Sequence, residues 1–457
     1  MSTYNNALPG RIEPLMQAGV DVAASFWMWP GYLLFFLMLA FPAVLSVLYI
    51  KAFLFGLVII LVGVRAMSRL YVHLHLKVVV WTLALAVVSL FFCFRGMFLG
   101  SPGAVKCVQV YVVWPLIYLI LLDGVDRMRR FQGIESTLIF SSMFIGAFGI
   151  VCTLSRLNIL PEIPYLDSLF PDEDLGIGVF EGYTRMEYPG LTSMPFLVPF
   201  LVALLVIRWS RRDTRATSMI WVSMALVLNS ALTLLSGRRA LQLVTILAPL
   251  LTLVFSSLLP VGEGLLVRRS LRRAMVAFVL GIVILVPLLG LVYSIDLPGL
   301  ADRFSSGFDF SPTSFDDSPD ERRQQYFALM NDWHEHPLIG AGLGASAYGS
   351  IRSETMPWSY ELYYLALLFQ TGIVGFASYM AGIVWVFWSS LKVIKRGGVI
   401  SGRLIPVLVG MLCFLIAAGT NPYLARFDGI WVIFLPLAFI NHSLLTSSGE
   451  SSLEFQT

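Results

Sequence analysis

Apolar runs recur along nearly the whole chain, parted by short polar or basic links. A helix needs about 20 residues to cross the hydrocarbon core of a bilayer, and a window of that length predicts about twelve spans. They fall near 31–50, 52–68, 77–95, 105–123, 135–155, 190–208, 217–235, 239–259, 273–294, 359–391, 403–421 and 427–446. Little more than Lys51 separates the first two. The run at 359–391 is long for one crossing, so it must tilt, kink at Gly372 or Gly375, or project beyond the bilayer. The expected fold class is all-α, a polytopic membrane protein in which one helical bundle absorbs residues 1–457.

Two polar stretches interrupt this rhythm. Residues 156–189 carry seven Asp or Glu against two Arg, and residues 295–357 carry ten against four. Within the second, the stretch near 318–333 reads as a surface helix. Pro319 stands near its start, and Tyr326, Phe327, Met330 and Trp333 recur at helical spacing to rest on the bundle or the membrane surface. The basic links alternate with these acidic loops: Arg69 and Lys77; Arg127, Arg129 and Arg130; Arg208, Arg211, Arg212 and Arg215; Arg268, Arg269, Arg272 and Arg273; Lys392, Lys395, Arg396 and Arg403. With twelve spans all five fall on one side. The bias of Lys and Arg toward the cytoplasm makes that side the inner one, with both termini there and the two acidic loops outside.

Composition agrees. The 457 residues are 57% hydrophobic and 13% charged, with mean hydropathy +0.79, against about a quarter charged in a soluble domain. The net charge of +3 is less informative than its distribution. Cys93, Cys107, Cys152 and Cys413 lie in or beside apolar runs without CxxC spacing, which argues against a disulfide framework or zinc site. No short apolar core with a small-residue cleavage site marks a signal peptide, so the first span is expected to direct insertion.

Candidate chemistry gathers at the outer side. Ser236-Gly237-Arg238-Arg239 forms a link too short to be a loop, so two guanidiniums stand at the boundary, where fork geometry suits phosphate or pyrophosphate. The competing reading is snorkelling beside a tight turn. Arg185, in the run before the sixth span, either joins the same anion or pairs with an acid of its own loop. Glu361 lies at the start of an apolar helix, flanked by Tyr360, Tyr363 and Tyr364. It is a candidate general base, or a carboxylate placed there by the helix dipole. Arg322 and Arg323 follow Asp320 and Glu321 and either pair with them or face a ligand. His334 and His336 sit two apart, on different helix faces, and no acidic pair calls for a divalent metal. Gly340-Ala341-Gly342-Leu343-Gly344 follows no strand and reads as a flexible turn rather than a phosphate loop.

The run HPLIGAGLG, a polar stretch and then YELYYLALLFQTGIVG resembles the C-terminal signature of the O-antigen polymerase and O-antigen ligase superfamily. SGRRALQL is similar to that family's Ser-Arg turn, with Arg239 best placed to match its arginine. RMEYPGLTSMPF is similar to its outer-loop arginine and the Pro/Gly-rich start of the next helix. The likeness covers residues of about 180–380; the first five spans agree only in layout. Ligases of the family carry a His where this chain has Glu361-Leu362, which leans toward the polymerase branch.

The resemblance implies a GT-C-like glycosyltransferase of the bacterial inner membrane with its active site facing the periplasm. It would polymerise O-antigen, capsule or exopolysaccharide. The donor would be a growing glycan on undecaprenyl pyrophosphate, and the acceptor a repeat unit on the same carrier. Glu361 would be the base, and Arg239, Arg238, Arg185 and Arg322 would bind pyrophosphate. Tyr360 and Tyr364 would contact substrate. It implies no cofactor, no metal and no nucleic acid, and partners in a flippase and a chain-length regulator. The alternatives are a ligase that moves glycan to a lipid A core or protein, a glycolipid transporter or flippase, and an envelope scaffold.

Overall fold

The computed structural model describes residues 28–269 and 317–454, apart from 43, 70–72, 126–127, 157–159, 162–175, 181–182, 188, 212–215, 237, 261, 263, 268 and 350–355. It is a helical membrane bundle. Helices α1 (Trp29–Ala40), α2 (Leu45–Arg69) and α3 (Leu76–Phe98) come first. A π-helical turn, Gln109–Val113, joins α4 (Ala104–Val108) to α5 (Trp114–Asp123), and α6 (Met128–Arg156) follows. Strands β1 (Gly176–Phe180) and β2 (Tyr183–Glu187) form an antiparallel hairpin. Next come α7 (Met194–Ser210), α8 (Ala216–Leu235), α9 (Arg239–Ser256) and α10 (Asp317–Glu335). The last three are α11 (Tyr363–Arg396), α12 (Gly398–Ala418) and α13 (Trp431–Glu454).

Among the described residues eight helices are long and apolar enough to cross a membrane, and three shorter apolar helices accompany them. The expected span at 273–294 lies outside the described residues. The first boundary differs from the sequence reading. It falls between Ala40 and Leu45, and Lys51 is buried inside α2, donating a hydrogen bond to the Phe41 carbonyl. A lysine tethered to a neighbouring carbonyl can sit within a helix, so a lone charge is a poor marker of a helix end.

Helix α7 is the central pillar, apolar all round and buried over nearly its whole length against α6, α8, α9 and α12. Arg208, Arg211 and Arg403 gather at one end of the bundle. Arg208 pairs with Glu135, Arg403 lies 3.6 Å from the same carboxylate, and Arg211 donates to the Gly398 carbonyl.

The opposite end is organised by a break in α11 at Gly372 (φ 62°, ψ −174°). A helix broken there loses the bonds from the Ile373 and Val374 amides to the Phe369 and Gln370 carbonyls. The loop after α10 replaces all four groups. Ile373 donates to the Pro337 carbonyl (2.9 Å) and Val374 to that of Leu338 (3.1 Å). The amides of Ala341 (3.0 Å) and Gly342 (2.8 Å) donate to Phe369 and Gln370. Non-helical backbone at this depth survives only when protein satisfies it.

The glycine run is therefore packed rather than flexible. A Cβ on Gly340 would lie 2.5 Å from the Gln370 and Gly372 backbone, on Gly342 2.3 Å from the Gly96 amide, and on Gly344 2.3 Å from Gly103 and Ala104. Each glycine admits a neighbouring backbone that any side chain would displace. Arg95 seals the joint by donating to the Gly340 carbonyl at 2.7 Å.

Gly342→Ala is expected to destabilise the protein by about 3 kcal/mol or more, combining left-handed strain with overpacking. Gly349→Ala, also at positive φ but with nothing within 4 Å, is expected to cost only about 1–2 kcal/mol. Thermal unfolding of the purified variants in detergent measures the difference; equal losses would mean that the backbone approach contributes nothing.

Candidate active site

Glu361 stands two residues before α11, where the chain turns out of the packed loop. Its backbone amide donates to Gln325 Oε1 at 3.0 Å, and its carboxylate Oε2 accepts from Arg322 Nε at 2.7 Å. Both partners come from α10, which is held against α11 by a small core of Leu329, Ala345, Ala347, Tyr360, Ala366 and Phe369. Side-chain exposure is 15% for Glu361 and 36% for Arg322, so the carboxylate is sheltered while the guanidinium reaches solvent.

Of the residues expected on the bundle or the membrane surface, Met330 and Trp333 are half-buried, with Trp333 packed against that core. Tyr326 and Phe327 are exposed, while Gln325 and Leu329 are buried. The reason is that Arg322, Gln325 and Leu329 follow a helical i, i+3, i+7 line, and the first two engage Glu361. A polar contact thus decides which residues of the helix meet Glu361.

Both tyrosines flanking this turn are tied to backbone. Tyr360 is 1% exposed, and its hydroxyl accepts from the Ala347 amide at 2.6 Å. Burial pushes its phenol pKa up, with the Ala347 hydrogen bond opposing. It is a strut of the α10–α11 core, closed to a ligand in this conformation. Tyr364 donates its hydroxyl to the Leu415 carbonyl at 2.6 Å and fixes α11 against α12.

Arg238 and Arg239 open α9. Arg238 has extended backbone at the N-cap, and its carbonyl accepts from Leu241 and Gln242. Both side chains are half-buried. The first turn of α9 has no acidic residue, so two cations add to the positive end of the helix dipole, an arrangement that favours an anion. Cys413 of α12 donates to the Val244 carbonyl of α9 at 3.6 Å. From that level, five residues back to Arg239 and five on to Ala418 each rise about 7.5 Å. Arg239 therefore lies at the end of the bundle where Tyr364 meets Leu415 and Glu361 precedes α11. Arg185 lies on β2 opposite Gly178, in the hairpin that leads through Pro189–Ser193 into the same end of α7. The structure thus joins Arg322 to Glu361 directly and puts Arg238, Arg239 and the Arg185 backbone at the same rim.

A further polar group at this rim escaped the sequence reading. Arg426 and Asp428, between α12 and α13, are 3.4 Å apart, and Asp428 is buried. Asp428 attracts buried Lys51. The signal was there: two opposite charges in a short apolar link between long spans.

Compared with models of known protein families and with curated proteins, the chain matches none.

In a double-mutant cycle on thermal unfolding, Arg322→Ala and Glu361→Gln are expected to couple by about 0.5–1 kcal/mol, the range for a partly exposed ion pair. Strictly additive effects would show that the pair is not formed in solution.

Proposed function

We propose that the chain is a membrane glycan polymerase. In this reading it transfers a growing oligosaccharide from undecaprenyl pyrophosphate to a lipid-linked repeat unit. The observation that carries it is a sheltered carboxylate, Glu361, held by an arginine at a rim where two more guanidiniums crown a helix N-terminus. Such a rim combines a proton acceptor with a fixed positive field, the two things a displacement at an anomeric carbon needs.

In the proposed step the acceptor hydroxyl oxygen attacks the anomeric carbon of the donor sugar. The bond from that carbon to the pyrophosphate oxygen breaks, and the lipid pyrophosphate leaves with the electron pair. Glu361 takes the hydroxyl proton. Arg239, with Arg238 and Arg185, offsets the charge developing on the leaving group. Arg322 orients the carboxylate through Nε and presents its remaining nitrogens outward. Arginines supply the positive field, so the reading assigns no role to a metal or cofactor. Tyr364 acts by positioning α11.

The charge asymmetry supports an inner-membrane topology with about twelve spans, both termini cytoplasmic and the Glu361 rim in the periplasm. A flippase and a chain-length regulator would be the pathway partners, and the bundle would be GT-C-like. A transporter would carry its charges near the midplane and line a path with its broken helix. Here the break at Gly372 is filled by the glycine loop, and the charges discussed lie toward the ends.

Glu361→Gln is expected to cut polymer formation by about 10²–10⁴-fold and Arg239→Ala by about 10²–10³-fold, with single repeats still reaching the outer face. The carrier-linked glycan profile of cells bearing each variant is the readout. Normal polymer from both removes the site assignment. Repeats held at the inner face point to a flippase, and polymer that forms but stays on its carrier points to a ligase.

A further inference from the structure

The cluster around Asp428 has an imbalance of charge. Lys51 is 4% exposed, and its ammonium donates to the Phe41 carbonyl. Asp428 is 6% exposed, its Oδ1 lies 3.4 Å from Arg426 Nε, and its Oδ2 has no hydrogen-bond partner among the described residues. Asp428 attracts Lys51 while Arg426 repels it. Two cations thus feel one carboxylate, and Arg426 is the one at ion-pair distance. Burying ions costs several kcal/mol each unless they are compensated, and this group leaves one formal positive charge over. Arg426 is the member that reaches outward, with its side chain 35% exposed.

The position of this charge is informative. Phe41 ends α1, where Leu39 accepts a hydrogen bond from Ser193 at the start of α7, so the cluster belongs to the Glu361 rim. Leu424 and Ile430, which flank Arg426 and Asp428 in the chain, line one apolar cavity together with Tyr363, Tyr364, Leu367 and Ile383 of α11. Tyr363 is two residues from Glu361. A half-exposed cation on a loop whose flanking residues line an apolar cavity suits an anionic amphiphile, with its phosphate at the arginine and the first carbons of its chain against the cavity mouth. A free phosphate would have no use for the cavity.

Resting on the reading that two lipid-linked glycans meet at this rim, we propose that Arg426, supported by Lys51 and Asp428, forms a second anion site that holds the prenyl-linked phosphate of the acceptor, separate from the donor site at Arg239. Lys51 and Asp428 are positioning residues; the buried pair fixes the loop that carries Arg426. The arrangement explains why a lysine is retained inside α2. It also places an acceptor beside Glu361 without competition for the arginines that hold the leaving group.

The test uses the full chain in phosphatidylcholine nanodiscs, titrated calorimetrically with geranylgeranyl pyrophosphate. The native protein is expected to bind two equivalents, and Arg426→Gln and Arg239→Ala one each. Arg426→Lys is expected to keep the second site with affinity about tenfold weaker, since an ammonium keeps the charge and loses the fork. Unchanged thermal unfolding of Arg426→Gln excludes misfolding as the cause of a lost site. Two equivalents in Arg426→Gln, or a native stoichiometry of one that Arg426→Gln leaves intact, overturns the proposal. Loss of the Arg426-dependent equivalent on adding phosphatidylglycerol also overturns it, because the site would then be one for a membrane headgroup. If Arg239→Ala alone changes nothing, the donor assignment fails while the Arg426 site stands.

Discussion

The exchange of hydrogen bonds at Gly372 is the constraint on which the rest of this end depends. A membrane helix cannot leave two amides and two carbonyls open in lipid, where each unpaired group costs several kcal/mol. The loop after α10 meets all four with the partners that the helix lost. It reaches them only because Gly340, Gly342 and Gly344 let backbone approach backbone. The direction of the first segment of α11 follows from that joint, and with it the position of Glu361. Helix α10, at the other end of the same loop, is brought over α11 so that Arg322 and Gln325 grip Glu361 from one side.

Charge is distributed by the same economy. At the basic end Glu135 serves both Arg208 and Arg403. At the Glu361 rim, Arg238 and Arg239 crown α9, Arg322 holds Glu361 and Arg426 lies beside Asp428. Arginines set above apolar helices suit ligands that carry phosphate at one end and hydrocarbon at the other.

Hydropathy made the helices legible because the bilayer imposes a length and a polarity on every span. It also marked the long run that breaks at Gly372. What stayed hidden was pairing across distance. Nothing local says that Gly342 meets Gly96 or that Gly344 meets Gly103, and a glycine run without its partners looks loose. The part played by Gln325 stayed hidden for a related reason: it is polar, and its value comes from a backbone amide 36 positions away. The site was legible as residue types. Glu361, Arg239 and Arg322 stood out as charges beside apolar helices, whereas the Arg322–Glu361 bond and the Lys51–Asp428 attraction needed the fold.

A structure of the full chain in nanodiscs with a lipid-linked sugar phosphonate, an uncleavable stand-in for the donor, tests the central claim most directly. The account predicts the phosphonate in ionic contact with Arg239 and the anomeric carbon facing the Glu361 carboxylate across room for an acceptor hydroxyl. A phosphonate seated at the basic end near Glu135, or at the Glu361 rim with its sugar turned away from the carboxylate, would contradict it.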